Sequence, residues 1–364
     1  MFIKNRRGRF SPAQQIVSKD LPTVSVVIPC YNYANFLPEA VLSVISQVGA
    51  NTQVIIVDDA STDNSLSVAQ SLAAAHPEVV VLSNASNRGP VRTFNYGLEH
   101  ATGEYLVRLD ADDLLTPGSL RRAIDVCQVH PEVGLVYGHP VHFSGSSRPA
   151  ARQQVKGWAL WSGMDWVEER CRAGVNVITS PEVLMRMSIV RQVGGQRDLP
   201  HGHDMEMWLR IASVSDVAFI RGADQAWHRD HAQSLSARKV NDAVDLAERA
   251  KVFETLFSWM TSPADRVAKM RSLTDKALFD GGLKSLRVQL QLGVPDVQGF
   301  TQMISVVQGL NLNENQRAVL ASVQAAWQVP RNSMLKAIPV FFHRAGRRII
   351  WEYRQRHWRS FGVY

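Results

Sequence analysis

Cysteine is scarce in this chain of 364 residues: only Cys30, Cys127 and Cys171 occur, far apart and odd in number. That excludes a disulfide scaffold and a cysteine metal site, and it fits a reducing compartment. Long apolar runs are also missing. No segment holds about eighteen continuous apolar residues, so no transmembrane helix is expected. The basic start, Met1 to Arg9, is not followed by an apolar stretch, so it does not read as a secretory signal. Internal repeats and low-complexity segments are absent, which excludes solenoid architectures. Acidic residues are outnumbered, 33 against 40 Lys and Arg, for a formal charge of +7. Much of that excess sits at the two ends. Phosphate-bearing substrates or an anionic membrane are therefore the expected partners, and not nucleic acid.

What is present suits a globular protein: 45% hydrophobic and 20% charged residues, with length for two or three domains. Residues 1–21 read as a polar, basic and mobile segment. Val24 to Ile28 reads as a β-branched core strand, Gln53 to Val57 as a second and Val79 to Leu82 as a third. Between them, Pro38 opens a helix with Leu37, Val41, Val44, Ile45 and Val48 on one face, and Ser61 to Ser65 offers caps for a helix through Ala75. A helix containing Thr93 to Glu99 follows a polar loop. Alternation at this spacing predicts a doubly wound α/β fold with a mainly parallel sheet. Ligands of such sheets sit at the carboxyl ends of the strands.

The densest chemistry lies at one such end. Tyr105 to Leu109 reads as a buried strand and runs into Asp110-Ala111-Asp112-Asp113. Three carboxylates this close repel one another, and a hard divalent cation relieves that repulsion. The competing reading is an acidic turn that caps the helix after Thr116-Pro117-Gly118-Ser119. Asp59 and Asn87 fall at neighbouring strand ends, on the same rim.

Four segments in order resemble one family: Val26-Val27-Ile28-Pro29-Cys30-Tyr31-Asn32, Val57-Asp58-Asp59-Ala60-Ser61-Thr62-Asp63, Asn87-x-Gly89 with Asn95-x-Gly97, and Asp110-Ala111-Asp112-Asp113. They are similar to the inverting, GT-A-fold glycosyltransferases of glycosyltransferase family 2, over roughly residues 22–236. The resemblance implies a nucleotide-diphosphate sugar donor and a Mn²⁺ or Mg²⁺ cofactor. It implies donor binding by Pro29, Tyr31, Asn32, Asp59 (on the base), Asn87, Gly89, Asp110 and Asp112, and metal binding by Asp112 or Asp113. The family often carries Arg where this chain has Phe94; Arg92 lies nearby.

Further along, His139 to Ala150 reads as a loop, and Trp158, Trp161 and Trp166 suit either a sugar face or core packing. Val183 to Arg186 reads as a strand and Ser188 to Val193 as a helix stopped by Gly194-Gly195. In His203-Asp204-Met205-Glu206-Met207-Trp208-Leu209-Arg210, Asp204 and Trp208 share one helical face, while Glu206 and Arg210 form an i,i+4 pair on another. The helix N-terminus is expected to keep Asp204 ionised. The family's general base stands at this place, which implies Asp204 as catalytic base. Trp227 to Ser236 resembles the family's Tyr-Arg-x-His-x-x-Ser-x-Ser stretch, which places Arg229 on the diphosphate and His231 on metal or diphosphate.

From about Val240 the resemblance ends and helices follow. In the last stretch Ile338, Phe341, Phe342, Ala345, Ile349 and Tyr353 line one face amid arginines, with Trp351 and Trp358 interspersed. This reads either as a basic amphipathic helix on an anionic membrane or as a helix docked on its own domain. Removal of the tail before Ile338 is expected to leave a folded enzyme. The expected division is a basic segment (1–21), a GT-A domain (22–238, with a nucleotide-sugar half to about 138 and an acceptor half after it) and a helical region (239–364).

The expected activity is transfer of a sugar to the hydroxyl of a saccharide or lipid-linked saccharide, in cell-surface polysaccharide or glycoconjugate synthesis. The expected location is cytoplasmic, on the inner face of the membrane. Two rivals stand beside it. A nucleotidyltransferase carries a Gly-rich basic loop after the first strand, where this chain has Pro29-Cys30-Tyr31-Asn32-Tyr33. An inactive transferase-like scaffold in a membrane complex is disfavoured by the presence of both Asp112 and Asp204.

Overall fold

The computed structural model describes residues 8–15, 21–231, 241–292, 297–328, 352 and 354–363. Its frame is one mixed sheet. One side is built from β2 (Thr23–Cys30), β3 (Asn51–Asp58), β4 (Val79–Ser83) and β5 (Tyr105–Arg108), all parallel in the order β5-β2-β3-β4. Parallel neighbours need crossovers. Helices α1 (Leu37–Ile45), α2 (Ser65–Ala75) and α3 (Pro90–Glu99) supply them. The other side holds β7 (Val133–Phe143) parallel to the long β10 (Asp216–Arg229). Here β8 (Gly157–Trp161) and β9 (Leu184–Arg186) run antiparallel to their neighbours, and β6 (Leu114–Leu115) pairs with β10. The sheet is thus wholly parallel only in its β5-β2-β3-β4 half. Arg9–Ser11, expected to be mobile, forms an edge strand, β1, on β8.

The β-branched runs explain why both faces of the sheet are covered. Val27, Ile55, Val57 and Leu106 point into one apolar cluster; Val26, Ile28, Val54, Ile56 and Val107 point into another. Side chains alternate faces along a strand, so a continuous apolar run serves two layers at once. One layer receives α1 through Leu37, Val41 and Val44, and α4 (Ser119–Val129) through Leu120, Ala123 and Ile124. Val48, expected on the same face as Leu37, lies beyond the helix and is exposed. The other layer receives α3 through Phe94, and α5 (Gly163–Ala173) through Trp166 and Val167. Gly97 lets α3 sit against the sheet: a Cβ there would lie 2.5 Å from Val27 Cγ1 and 2.9 Å from Val57 Cγ2. The Asn95-x-Gly97 element is therefore a packing device, and Asn95 ties α3 to the backbone of Gln196 through both amide atoms.

Trp158, Trp161 and Trp166 are all buried, so they are core and not a sugar platform. The stretch 139–143, expected as loop, is the end of β7. After α6 (Met187–Val193) and α7 (His203–Val214) come α8 (Asp242–Trp259), α9 (Ala264–Leu292), α10 (Val297–Gln308) and α11 (Glu314–Gln328). Asn241 caps α8 by accepting from Ala243 N and Val244 N at 3.0 and 2.9 Å. α8 faces two ways. Val252, Phe253 and Leu256 join the α/β core, while Ala243 and Leu246 join a helical core with Leu286, Phe300 and Met303.

Residues 354–361 are helical and return to the sheet. Trp358, expected at a membrane interface, is buried there; its ring lies 4.9 Å from His139 and 5.8 Å from Phe219, and its Nε1 donates to Val177 O at 3.2 Å. Phe361 O accepts from Trp161 Nε1 at 3.0 Å. Gly362 O accepts from Tyr137 Oη at 2.5 Å. The apolar face from Ile338 to Tyr353 lies outside the described residues. Among the described residues no helix is long and apolar enough to cross a membrane.

Candidate active site

The rim at the strand ends gathers the acidic motif of 110–113, the start of α7 and the end of β10. The three carboxylates differ sharply in openness: the side chain of Asp110 is 36% exposed, that of Asp112 10% and that of Asp113 1%. Asp110 accepts both guanidinium nitrogens of Arg108, at 2.8 and 3.3 Å. Arg108 Nη1 also reaches Ser180 Oγ at 3.1 Å. Ser180 holds a φ of 140°, a strained conformation for a non-glycine residue. Glu182 fixes it by accepting from Thr179 N at 2.6 Å and Ser180 N at 3.1 Å.

Asp112 Oδ2 lies 2.7 Å from His231 Nε2. Burial raises the Asp112 carboxyl above its ordinary range, the charge of Asp110 adds to this, and His231 opposes it. One carboxylate and one imidazole meet here at a strand end, a donor set that suits Mn²⁺ better than Mg²⁺ because it includes nitrogen.

Asp113 points elsewhere. Its Oδ1 accepts from Arg229 N at 2.8 Å and its Oδ2 meets His228 Nδ1 at 3.0 Å. Burial disfavours the charge on His228, but the Asp113 bond and the charges of Asp113, Asp110 and Asp230 outweigh it and raise the imidazole to about 9. Arg229, expected on the diphosphate, has another occupation. Nε donates to Asp112 O at 3.0 Å, Nη1 to Gly145 O at 3.1 Å and Nη2 to Glu39 at 2.6 Å, with the guanidinium between Phe36 and Phe143. It braces the acidic loop against α1.

Asp204 sits in the first turn of α7, partly buried, and accepts from Met205 N at 2.6 Å. The helix N-terminus was expected to dominate its ionisation. Burial wins instead: it pushes the carboxyl up to about 6, with Arg108 opposing and Asp110 reinforcing. Arg108 therefore acts electrostatically on both Asp110 and Asp204, and couples the two motifs. Glu206 is fully buried and paired with Arg210 Nε at 2.7 Å. His203 is buried, and burial together with Arg108 lowers its imidazole to about 4, which keeps it neutral.

The remaining expected residues lie on the same edge with mostly local duties. Asn32, at φ 61°, accepts from Thr62 N at 2.8 Å and donates its own N–H to Ser61 Oγ at 3.0 Å. Pro29 lies in β2 and Tyr31 is 43% exposed just beyond it. The Asp59 carboxylate, expected on the base, is committed to the loop before α3. It accepts from Asn84 Nδ2 at 2.7 Å, Arg88 N at 2.8 Å and Gly89 N at 2.9 Å. Gly89 takes φ 82° to start α3, and Asn87 is exposed in that loop. Phe94 is core, and Arg92 pairs with Asp198 on the surface at 3.1 Å.

Sequence reasoning missed Arg108, Glu39, Glu182 and His228. Arg108 and Glu182 carried a signal: a charge inside an apolar run must have a buried partner. Glu39 and His228 find their partners across long sequence separations, which no local pattern shows.

Residues 25–194 match the family model described as Glycosyl transferase family 2. Over 122 residues the chain is 34% identical to the minor teichoic acid biosynthesis protein GgaB of Bacillus subtilis, covering 33% of this chain and 14% of that protein. It is 23% identical to an uncharacterized glycosyltransferase of Haemophilus influenzae, covering 61% of this chain and 73% of that one. In fold it is similar to S. aureus TarS 1-349 in complex with UDP-GlcNAc (TM-score 0.60, 16% identity, 84% and 88% of the two chains). It is also similar to the mannosyltransferase PcManGT of Pyrobaculum calidifontis in complex with GDP-Man and Mn²⁺ (TM-score 0.53, 19% identity, 87% and 89%). The fold is GT-A, and residues 25–194 are similar to glycosyltransferase family 2.

Proposed function

We propose that this chain is an inverting, cation-dependent glycosyltransferase that moves a sugar from a nucleotide-diphosphate sugar to an acceptor hydroxyl. Residues 22–238 would form the catalytic domain. The observation that carries the reading is the placement of two differently tuned carboxylates on one rim. Asp204 is held near 6, where a carboxylate is a stronger base than usual, and Asp112 meets His231 at 2.7 Å. A general base works best with a pKa near the working pH.

In this mechanism Asp204 takes the proton from the acceptor hydroxyl. The oxygen attacks the anomeric carbon from the side opposite the diphosphate, and the bond from that carbon to the diphosphate oxygen breaks. Direct displacement inverts the configuration and needs no covalent intermediate. Arg108 holds Asp110 at the donor side and lies near enough to Asp204 to limit the rise in its pKa. Asp112 and His231 would hold the divalent cation, and Asp113 would support them from behind through His228 and Arg229. The cation supplies Lewis-acid neutralisation of the departing diphosphate. Asp110 is the open carboxylate for the donor ribose, with Pro29, Tyr31, Asn32 and the Asn87–Gly89 loop on the same edge.

One relative named for minor teichoic acid biosynthesis, and neighbours bound to UDP-GlcNAc and GDP-Man, support a role in surface polysaccharide or glycoconjugate synthesis. The test is a panel of nucleotide sugars scored by thermal shift with Mn²⁺ and with chelator, because a ligand of the folded state raises Tm by mass action. One donor should stabilise the protein only with the cation. NMR of the product should show the inverted anomer. A retained anomer would overturn the mechanism, and stabilisation by no donor would overturn the activity.

A further inference from the structure

Beside the candidate active site, His142, His228 and Asp230 converge at the ends of β7 and β10. Among the described residues they are the group of three metal-ligating side chains whose ligand atoms all lie within 4.8 Å of one another. We propose that they form a second cation site, distinct from Asp112 and His231, for a divalent transition ion of the Zn²⁺ class.

The backbone pre-positions all three. His142 and His228 stand directly opposite each other in the parallel pairing of β7 with β10, and their ring centroids are 4.9 Å apart at 70°. Asp230 is fixed by its own N–H, which donates to Phe143 O at 2.8 Å. Its carboxylate oxygens each lie 3.3 Å from His142 Nδ1, and Oδ1 lies 3.8 Å from His228 Nε2. Ligands about 2.0–2.1 Å from a tetrahedral zinc ion stand about 3.3–3.4 Å from one another. The cluster needs only small side-chain rotations to reach that geometry, because the strands already set the spacing.

The support behind the ligands is also built. His228 turns Nδ1 to the buried carboxylate of Asp113 at 3.0 Å, which leaves Nε2 facing His142 and Asp230. A carboxylate that fixes the far nitrogen of an imidazole is the usual outer partner of a metal-bound histidine. Asp113 is itself held by Arg229 N at 2.8 Å, so the partner does not drift. Two imidazole nitrogens and one carboxylate oxygen suit Zn²⁺, Co²⁺ or Ni²⁺ better than Mg²⁺, and leave an open coordination position. His142 and Asp230 are about half exposed, at 51% and 55%, so an ion enters directly from solvent. An ion here clamps Asp230 next to His231, which meets Asp112. The second site thereby stiffens one side of the first without sharing a ligand with it.

The test uses chelator-stripped full-length protein titrated with Co²⁺ and followed by visible absorption, with Zn²⁺ displacement measured by calorimetry. Wild type should develop a strong visible band that one equivalent of Zn²⁺ removes. His142→Ala and Asp230→Asn should each weaken binding by at least about tenfold, the lower bound for disturbing the surroundings of a metal site. Both positions are exposed, and Asp230→Asn preserves size, so one folded variant is available even if the other misfolds. Asp112→Asn should keep the band. A band unchanged in both His142→Ala and Asp230→Asn, a band lost in Asp112→Asn, or no binding of either ion to wild type would each overturn the proposal.

Discussion

Two carboxylates on the rim carry opposite expectations for mutation. Asp204, held near 6, must be ionised to act as base. The sign is therefore that kcat/KM rises as pH rises through about 6 and levels off above it. Asp204→Asn should leave donor binding nearly intact, lower kcat by a factor on the order of 10² or more, and erase that acidic limb. A pH–rate profile of wild type and variant reads all three effects. Asp112→Ala should instead abolish cation-dependent binding of nucleotide diphosphate while leaving the weaker cation-free binding in place, measured by calorimetry with metal and with chelator. Equal affinity in variant and wild type would remove the cation from Asp112. Asp112 stood out in the sequence because dense charge at the end of an apolar strand is costly without a purpose, and Asp204 because the family it resembles carries its general base at that place. Their tuning was not legible. The rise at Asp204 comes from burial that only the folded chain creates, and the division of labour between Asp112 and Asp113 comes from β10, more than a hundred residues away.

β10 is the element on which the site turns. It pairs with β6, β7 and β8, and its end presents His228 and Arg229 to the acidic loop. Its middle is pinned by Asp224, which is buried. Burial alone would raise that carboxyl. Bonds from His139 and from the side chain and backbone of Arg152 reverse this and hold it well below the usual carboxylate range. A depressed carboxylate contributes stability that is present above its unfolded pKa, about 4, and is lost as pH falls below it. Asp224→Asn should cost about 3 kcal/mol near neutral pH, the low end for breaking a buried pair because Arg152 is half exposed. Its acid unfolding should begin from that lower level and fall less steeply below about pH 4. Urea titrations at neutral and acid pH measure both. The parallel strands β2 to β5 were legible because their β-branched runs are continuous. The end of β7 was not: Pro140 lies in the stretch from His139 to Ala150 that read as loop. Proline has no N–H to give the ladder and sits where pairing is irregular. The register shifts between Phe219, Asp224 and Ala226 on β10 make that place.

At the scale of the whole molecule, the chain closes on itself. The sequence offered two readings of the tail, a membrane-binding helix or a docked one, and its periodicity fits both, since an apolar helical face does not say what will cover it. For residues 354–363 the packing decides in favour of docking. Trp358 fills the space between His139 and Phe219, Val363 is fully buried, and the backbone of Phe361 and Gly362 takes the polar atoms of Trp161 and Tyr137. Phe361 also lies 5.0 Å from Phe10, so the two ends of the described chain meet on β8. Removal of this segment would take the acceptor from the Trp161 indole N–H and from the Tyr137 hydroxyl, which would keep only the Trp166 N–H as its partner. Burying an unsatisfied polar group costs about 1–3 kcal/mol each, and the lost apolar contacts add to that. Truncation after residue 353 should therefore lower Tm markedly, contrary to the expectation that the enzyme tolerates loss of its tail. Trp358→Ala alone should cost about 3–5 kcal/mol, the range for emptying a buried aromatic site. Thermal unfolding of wild type, Trp358→Ala and the truncated chain tests this, with vesicle co-sedimentation run in parallel. If the truncated chain melts like wild type, the terminal segment is not part of the core. If Trp358→Ala destabilises the protein while binding to anionic vesicles is unchanged, any membrane contact belongs to other residues and Trp358 is a keystone of the fold.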